Sequence, residues 1–456
     1  MKKRIRYRTV NVESVEVKAL ARKFAGGRCI VAIDIAKEAM VAGFADEKGT
    51  CEALVRFSHP TQTLLFVTLL VALRELGLEV EAVMEPTGSY GESLRYQLGK
   101  RDVPVFRVDP TRSHALAGVL DGVPSLHDPK SCTLIAHLHA QGISSRWREK
   151  SPEARAMRAL ITEHAMHQDP LERGRGHIEA MLAEYFPEFG DQVDHSSAWH
   201  LHLFEAYPSP ARMAAAPDDV ARLLRRVTRG RLTEARIQTI IDLARRSLGA
   251  PMLEEEARQV SALARTMLYH REQKRGVEKR IEDAVERRPE LAPLRAMLGP
   301  VTTAAIVSDL GNPAEYGSSA AFQKALGLNL KEKSSGTVTG RLHITKRGSP
   351  RARKYLFLAA LRFIQADPIV RAWYEARSAH KAGLKLKAVV AVMRKLARAI
   401  VHVARGDRFD AAKLFDTRRL VLTPPKPPRN DASGAGEETT PAVVGEALDT
   451  TSNATL

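Results

Sequence analysis

The chain has 456 residues, 44% of them hydrophobic, and 70 Lys and Arg stand against 53 Asp and Glu, a formal charge of +17 with an isoelectric point near 9.9. That length supplies two or three domains of roughly 100–200 residues each. The charge excess asks for an anionic partner, nucleic acid being the commonest for a soluble chain, with merely solvated lysines as the plainer alternative. Three widely spaced cysteines (Cys29, Cys51, Cys132) exclude a disulfide framework and a paired zinc-ligand motif and fit a reducing cytoplasm. The basic N-terminus has no apolar stretch behind it, unlike a signal peptide, and the most apolar run, residues 64–73, is too short to span a bilayer.

In chain order, residues 1–27 read as a basic N-terminal arm. Residues 28–58 alternate in the strand manner around an Asp46-Glu-Lys-Gly49 turn, which predicts a three-strand meander. A helix is expected from His59-Pro60 to Leu76, with Gly77 placed to end it. A strand over 79–84 then leads into Glu85-Pro-Thr-Gly88, where Thr87 or Ser89 is available to cap a helix reaching Gly99. Another strand is expected over 103–108, a helix from Asp109-Pro110, and a further helix from Asp128-Pro129. Strands first, then strands alternating with helices, describe a mixed α/β sheet over residues 28–150.

Residues 151–290 show no convincing strand and read as a helical spacer. Within it Val260, Leu263, Met267, Val277, Ile281 and Ala284 fall at a and d spacing, with His270 and Lys274 interrupting the seam. A coiled coil or a long helical hairpin follows, serving as a dimerisation element or a spacer. Residues 291–420 read as a second compact helical domain dense in basic residues. The Pro-, Gly- and Ser-rich stretch over 421–456 should be a disordered tail. There is no internal repeat.

Candidate chemistry starts with the carboxylates. Asp34 sits at the end of the first long strand, Glu85 ends the strand after the first long helix, and Asp128 opens a later helix. A bare charge in a core strand costs several kcal/mol unless paired, so Asp34 is either a helix cap or a metal ligand. Strand ends and adjoining helix starts converge on one edge of an α/β sheet. Three carboxylates brought together there repel unless a divalent metal neutralises them, and metal ions so bound serve phosphodiester chemistry. The plainer readings are that Asp128 is an ordinary N-cap before a Pro at N1 and that Glu85 is a surface residue.

Further along, Leu298-Gly-Pro-Val-Thr-Thr-Ala-Ala305 suggests two helices joined by a tight glycine turn, similar to the helix-hairpin-helix of non-specific DNA binders. Next comes Gly327-Leu-Asn-Leu-Lys-Glu-Lys-Ser-Ser-Gly336, a Ser-Gly loop flanked by Lys331, Lys333, Arg341, Lys346, Arg347, Arg351 and Arg353. These cations form a phosphate-seeking surface, and a serine among them is a candidate nucleophile. A helix over 384–404 places Val389, Val392, Met393, Leu396, Ile400 and Val403 on one face and basic residues on the other. The His137/His139 and His200/His202 pairs have i, i+2 spacing and no cysteine partner, so they read as surface or core histidines.

The order Asp–Glu–Asp, spacer helices, Gly-Pro-Val-Thr, Gly-Leu-Asn, Ser-Ser-Gly and Thr-Lys-Arg-Gly resembles the insertion-sequence transposases that pair a RuvC-like (DEDD-type) acidic domain with a serine-bearing C-terminal domain, the bridge-RNA-guided recombinases. The likeness covers roughly residues 28–145 and 290–405. It implies a RuvC/RNase H-like sheet domain in which Asp34, Glu85 and Asp128 are catalytic ligands of Mg2+. It implies also that Ser335 attacks a DNA phosphodiester to form a phosphoserine link, with Ser334 as its neighbour. The implied partners are donor and target DNA, a non-coding guide RNA, and further copies of the chain in a dimer or tetramer through the spacer. The implied setting is the bacterial cytoplasm, in association with the nucleoid and with no membrane. The sequence departs from the family pattern at the fourth acid, three residues after the third, where it has Ser131 followed by Cys132. Either three acids suffice, another carboxylate such as Asp121 substitutes, or catalysis is impaired. The competing readings are a catalytically decayed homologue that still grips nucleic acid, and an actin-like or sugar-kinase-type ATPase. The phosphate loop of the latter wants Gly where this chain has Ala36.

Overall fold

The computed structural model describes residues 8–24, 27–86, 88–121, 127–193, 197–335, 338–379, 385–418 and 420. The expected tail over 421–456 therefore lies outside the described residues, as do Thr87 and the Gly122–Pro124 segment. The chain forms two compact units, residues 1–149 and residues 150–456.

The first unit is built on a seven-stranded mixed sheet. Its strands are β1 (Val10–Asn11), β2 (Arg28–Asp34), β3 (Ala39–Ala45), β4 (Cys51–Ser58), β5 (Glu79–Met84), β6 (Val105–Arg107) and β7 (Ser145–Arg146). The spatial order is β1-β4-β3-β2-β5-β6-β7. The β2–β3–β4 meander is antiparallel, whereas β2, β5 and β6 run parallel. The helices are α1 (Val17–Ala21), α2 (Thr63–Glu75), α3 (Glu92–Gly99), α4 (Pro110–Asp121) and α5 (Asp128–Ala140). Both sheet faces are covered, which is why β2 and β3 are nearly continuous apolar runs. Cys29, Val31 and Ile33 of β2 pack with Phe66, Leu70 and Leu73 of α2 and with Leu94 and Leu98 of α3. Ile30 and Ala32 face Cys132, Ile135 and Ala136 of α5. Gly43 of β3 lets α5 come this close: a Cβ there would stand 2.9 Å from Cys51 Sγ and 3.0 Å from Cys132 Cβ.

Three expectations change in this unit. The stretch read as a basic arm contributes β1 and α1, and it buries Val12, Leu20 and Phe24 in the sheet core; these apolar residues are spaced too sparsely to announce themselves among the lysines and arginines. The helix after Glu85 starts at Glu92 with Gly91 as its N-cap, and no side chain caps it. The N-cap of α5 is His127, whose Nδ1 accepts from the Lys130 amide at 3.3 Å, so Asp128 is the first helical residue and its carboxylate is not the cap.

The second unit is helical apart from one hairpin among the described residues. It comprises α6 (Pro152–Tyr185), α7 (Trp199–Ala206), α8 (Pro210–Ala215), α9 (Pro217–Thr228), α10 (Glu234–Arg245) and α11 (Glu254–Glu286). After these come α12 (Ala292–Leu298), α13 (Pro300–Leu310), α14 (Ser319–Ala325), α15 (Pro350–Ala366), α16 (Pro368–Ser378), α17 (Lys385–Ala404) and α18 (Ala411–Leu414). The heptad stretch is α11, and α6 runs antiparallel against it. Glu278 meets His164, His270 meets His167, and Met267 lies over Gly174, so numbers rise along one helix as they fall along the other. Val260, Met267, Val277 and Ile281 are buried within this intramolecular pair. The seam thus has its partner in the same chain, which removes the sequence argument for a dimer formed through it.

At one end of the pair Leu171, Ile178 and Leu182 share a core with α7, α9 and α10. At the other, Met157, Ile161, Val277 and Ile281 join one core with α12, α13, α15 and α17, so the core crosses the 290/291 boundary expected from sequence. The glycine turn is present: Gly299, with φ +77°, ends α12 and precedes α13. In place of the expected Ser-Gly loop stands a two-stranded antiparallel hairpin, β8 (Leu330–Ser335) and β9 (Val338–Ile344). Its strands, β8 above all, are too polar for an alternation signal, which is why the sequence read as a loop in a helical domain.

Candidate active site

The three candidate carboxylates lie toward one end of the central strands. Ile33 of β2 pairs with Met84 of the parallel β5, so Asp34, the last residue of β2 and paired with Val41 of β3, and Glu85, the residue after β5, sit at the same end of the central strands. Asp128 begins α5, the helix lying across β2 and β3. Their proximity shows in the electrostatics. Burial, then the charges of Asp128 and Glu85, push the Asp34 carboxyl up to about 6 from its ordinary 3.8. Against these, the Ser131 hydroxyl and the Ile35 amide both donate to the carboxylate and favour its charged form. Ser131, the residue at the fourth-acid position, thus faces Asp34 with a donor where a carboxylate would have added a further negative charge.

Among the described residues no group of three or more His, Cys, Asp or Glu side chains is arranged to hold a metal ion. The set at this end of the strands is an open one of hard oxygen donors in mutual repulsion. Hard carboxylate oxygens are the donor type that a cation such as Mg2+ takes, but these three side chains do not converge as a ligating group. Asp34 and Glu85 are half-buried and Asp128 is exposed.

The helical unit carries the other candidates. Ser335 is the last residue of β8, and its backbone pairs with Val338. The side chains of Lys333, Ser334, Ser335 and Arg341 lie outside the described part. Lys331, Lys346 and Arg347 are exposed around the hairpin base. Lys346 adopts a left-handed φ of +55°, and its amide donates to the Gly327 carbonyl at 3.0 Å. Arg353 is otherwise engaged: its Nη1 donates to the carbonyls of Leu326 (3.1 Å) and Lys346 (3.3 Å), tying the two connections at the hairpin base together. Arg351 is half-buried, and its Nη1 has no hydrogen-bond partner among the described residues. Below the hairpin, Ser349 caps α15 through the Ala352 amide and donates to Asp309 Oδ2 at 2.5 Å, while Arg158 Nη1 holds Asp309 Oδ1 at 2.9 Å. Sequence reading missed this Asp309–Ser349–Arg158 brace, because its members come from α13, the α15 cap and α6.

The histidine pairs divide by burial. His139 is buried against Glu81 (3.2 Å) and Ser144 (2.8 Å), and burial holds its pKa below the ordinary value. His200 is buried beside Trp199 and Phe204.

The family-model match found by comparison with known proteins falls in the second unit. Residues 297–375 match the Transposase IS116/IS110/IS902 family model; they run from the α12–α13 glycine turn through the β8–β9 hairpin and α15 into α16. The chain is also 27% identical, over 215 residues, to the "Insertion element IS110 uncharacterized 43.6 kDa protein" of Streptomyces coelicolor, covering 45% of this chain and 52% of that one. The chain thus spans about half the length of the curated relative it matches.

Proposed function

We propose that this protein is a DNA transposase or recombinase of an insertion sequence, cutting and rejoining DNA by phosphodiester transesterification. The observation that carries this reading is the placing of Asp34, Glu85 and Asp128 toward one end of the central strands, where burial first, and then the charges of Asp128 and Glu85, raise Asp34. The transposase-family match over 297–375 supports it independently. The strand order β4-β3-β2-β5-β6, with β3 as its antiparallel member next to β2, supports an RNase H-like, RuvC-type reading of the first unit.

In this reading Asp34, Glu85 and Asp128 hold Mg2+, which when bound supplies Lewis-acid stabilisation of charge on phosphodiester oxygens. Ser335 is the nucleophile. Its Oγ forms a bond to phosphorus as the bond from phosphorus to one deoxyribose oxygen breaks. The proton lost by the serine is the one the departing deoxyribose oxygen gains, carried across by solvent, so the released strand end leaves as a hydroxyl. Rejoining is the reverse transfer onto a second strand, so the phosphoserine link conserves the bond energy. Lys331, Lys346 and Arg347, exposed at the hairpin base, bind phosphate and offset the charge of the pentavalent phosphorus; Lys333, Arg341 and Arg351 join them in the proposal. Target choice would then lie in base pairing with a structured RNA from the element. Copies of the chain would assemble through surfaces other than the α11 seam, in the bacterial cytoplasm and on nucleoid DNA. No helix among the described residues is long and apolar enough to cross a membrane.

The test is a cleavage assay with Mg2+, element-end DNA and the element's flanking RNA. Wild type should give a covalent protein–DNA adduct, Ser335→Ala none, and Asp34→Ala far less. Recombination that survives both substitutions would sink the proposal. Binding should fall steeply with salt if phosphate contacts dominate, and a flat titration would count against them. One observation favours a second reading, a decayed nucleic-acid-binding homologue: Ser131 stands at the fourth-acid position and is hydrogen-bonded to Asp34. Tight DNA binding without cleavage by the wild type would select it.

A further inference from the structure

The β8–β9 hairpin has two faces, and the register of its ladder fixes which residues share each. Leu330 pairs with Ile344, Lys331 with His343, Glu332 with Leu342 and Lys333 with Arg341. Directly paired residues of an antiparallel ladder stand on one side of it, and successive residues of a strand alternate sides. One face therefore carries Leu330, Glu332, Leu342 and Ile344. The other carries Lys331, His343, Lys333 and Arg341, two neighbouring cross-strand pairs with a basic residue at every position. Glu332 fits this sorting, since its side chain lies over Gly340, two residues before Leu342 on the same face.

Burial does not account for the sorting. Leu330 is 41% and Leu342 57% exposed, and Lys331 and His343 are exposed as well, so both faces are open to water. Cations that are merely solvated have no reason to keep to one of two wet faces and leave the aliphatic residues and the carboxylate on the other. The basic face also leads to the proposed nucleophile. The ladder is irregular between Lys333 and Ser335, where the longer step from Arg341 to Val338 on β9 answers the step from Lys333 to Ser335 on β8. The extra residue belongs to β9, so alternation along β8 carries one face from Lys331 through Lys333 to Ser335 and leaves Ser334 out of phase.

We propose that the DNA backbone lies along this face of the hairpin, on the Lys331–His343 and Lys333–Arg341 pairs, with the Leu330–Leu342 face turned from it. The proposal rests on the DNA-cutting function proposed above; it names the face that takes the substrate and adds His343 to the phosphate-binding residues. Charge identifies the occupant: a face basic at all four ladder positions complements a polyanion, and DNA is the polyanion whose phosphate Ser335 attacks. A two-stranded ribbon is also narrow enough to enter the major groove of a duplex.

The experiment sets the same charge on either face at neighbouring positions of β9 and measures the affinity of the full chain for labelled element-end duplex. His343→Glu should weaken binding about ten-fold or more, because it opposes a carboxylate to phosphate. Leu342→Glu, one residue away and also exposed, should stay within about two-fold. Lys331→Ala should lower the slope of log affinity against log salt by about one, the loss of a single phosphate contact, and this arm carries the test if a Glu variant melts below the wild type. Equal losses from the two Glu variants, both melting as wild type does, overturn the face assignment and leave the proposed function standing. So does wild-type binding by His343→Glu together with an unchanged salt slope in Lys331→Ala. A face dependence seen only with RNA of the same sequence overturns the choice of DNA. A wild type that binds DNA with this face dependence yet forms no Ser335-dependent adduct overturns the proposed chemistry and supports the face.

Discussion

Asp34 is held between opposing influences that a titration can separate. Its carboxyl is raised to about 6 from 3.8, first by burial and then by Asp128 and Glu85. In the folded chain it therefore holds its proton more tightly than in the unfolded chain, and folding stability falls as pH rises from about 4 through 6. Asn at this position resembles the protonated acid. Asp34→Asn should melt with the wild type near pH 4 and above it beyond pH 6, in the absence of divalent cations; a gap that does not change with pH would refute the argument. Mg2+ should raise the melting temperature of the wild type and leave that of the variant nearly unmoved. Ser131 gives the complementary test. Ser131→Asp exchanges a donor for a fourth carboxylate, so divalent-cation affinity measured by calorimetry should rise, with a lower melting temperature in metal-free buffer. Unchanged affinity would place Ser131 outside the cation's reach. At this scale the sequence was informative where residue type and strand end coincide, as at Asp34 and Glu85. It was misleading where a cap is involved: a histidine takes the cap position of α5, one residue ahead of the aspartate that propensity favours.

The element on which the proposed nucleophile depends is the β8–β9 hairpin, and its base is fixed by backbone packing. Gly348 lies against the Ala325 carbonyl and the Gly327 amide, leaving no room for a side chain, and Ser349 N donates to Ala325 O at 2.9 Å. Gly348→Ala must push these connections apart, at a cost of about 1–3 kcal/mol. A lower denaturation midpoint is expected, with any serine-dependent DNA adduct reduced further than stability alone explains. An unperturbed midpoint would show that the base gives way more easily than its packing indicates. Apolar elements were legible whatever their length, as the six-residue β5 over 79–84 shows, and polar ones were not. Val389, Val392, Met393, Leu396, Ile400 and Val403 marked α17 as a one-sided helix, and all six are buried. The α11 periodicity was equally plain, but periodicity shows only that a face is covered. The covering helix, α6, has Pro170 and several polar residues in its sequence and carried no matching heptad.

Across the whole molecule, the division at 149/150 coincides with separate cores. Residues 12–105 and 30–138 supply the two layers around the sheet, and every member of the two helical cores lies at residue 157 or beyond. Two-residue strands end the sheet on either side, β1 beside β4 and β7 beside β6, and Trp147 returns to the α3 layer over Arg95, 4.2 Å from its guanidinium. A unit of this size with both sheet faces buried is large enough to fold alone. Residues 1–149 expressed separately should therefore unfold cooperatively, and the full chain should melt in two transitions, the first unit's being the one that Mg2+ moves. Ending the fragment before Trp147 should cost more than the loss of three terminal residues would suggest, because the Arg95 guanidinium then loses the ring it stacks on. A fragment 1–149 that shows no cooperative transition by circular dichroism, in buffer where the full chain is folded, would mean that the sheet unit draws stability from the rest of the chain.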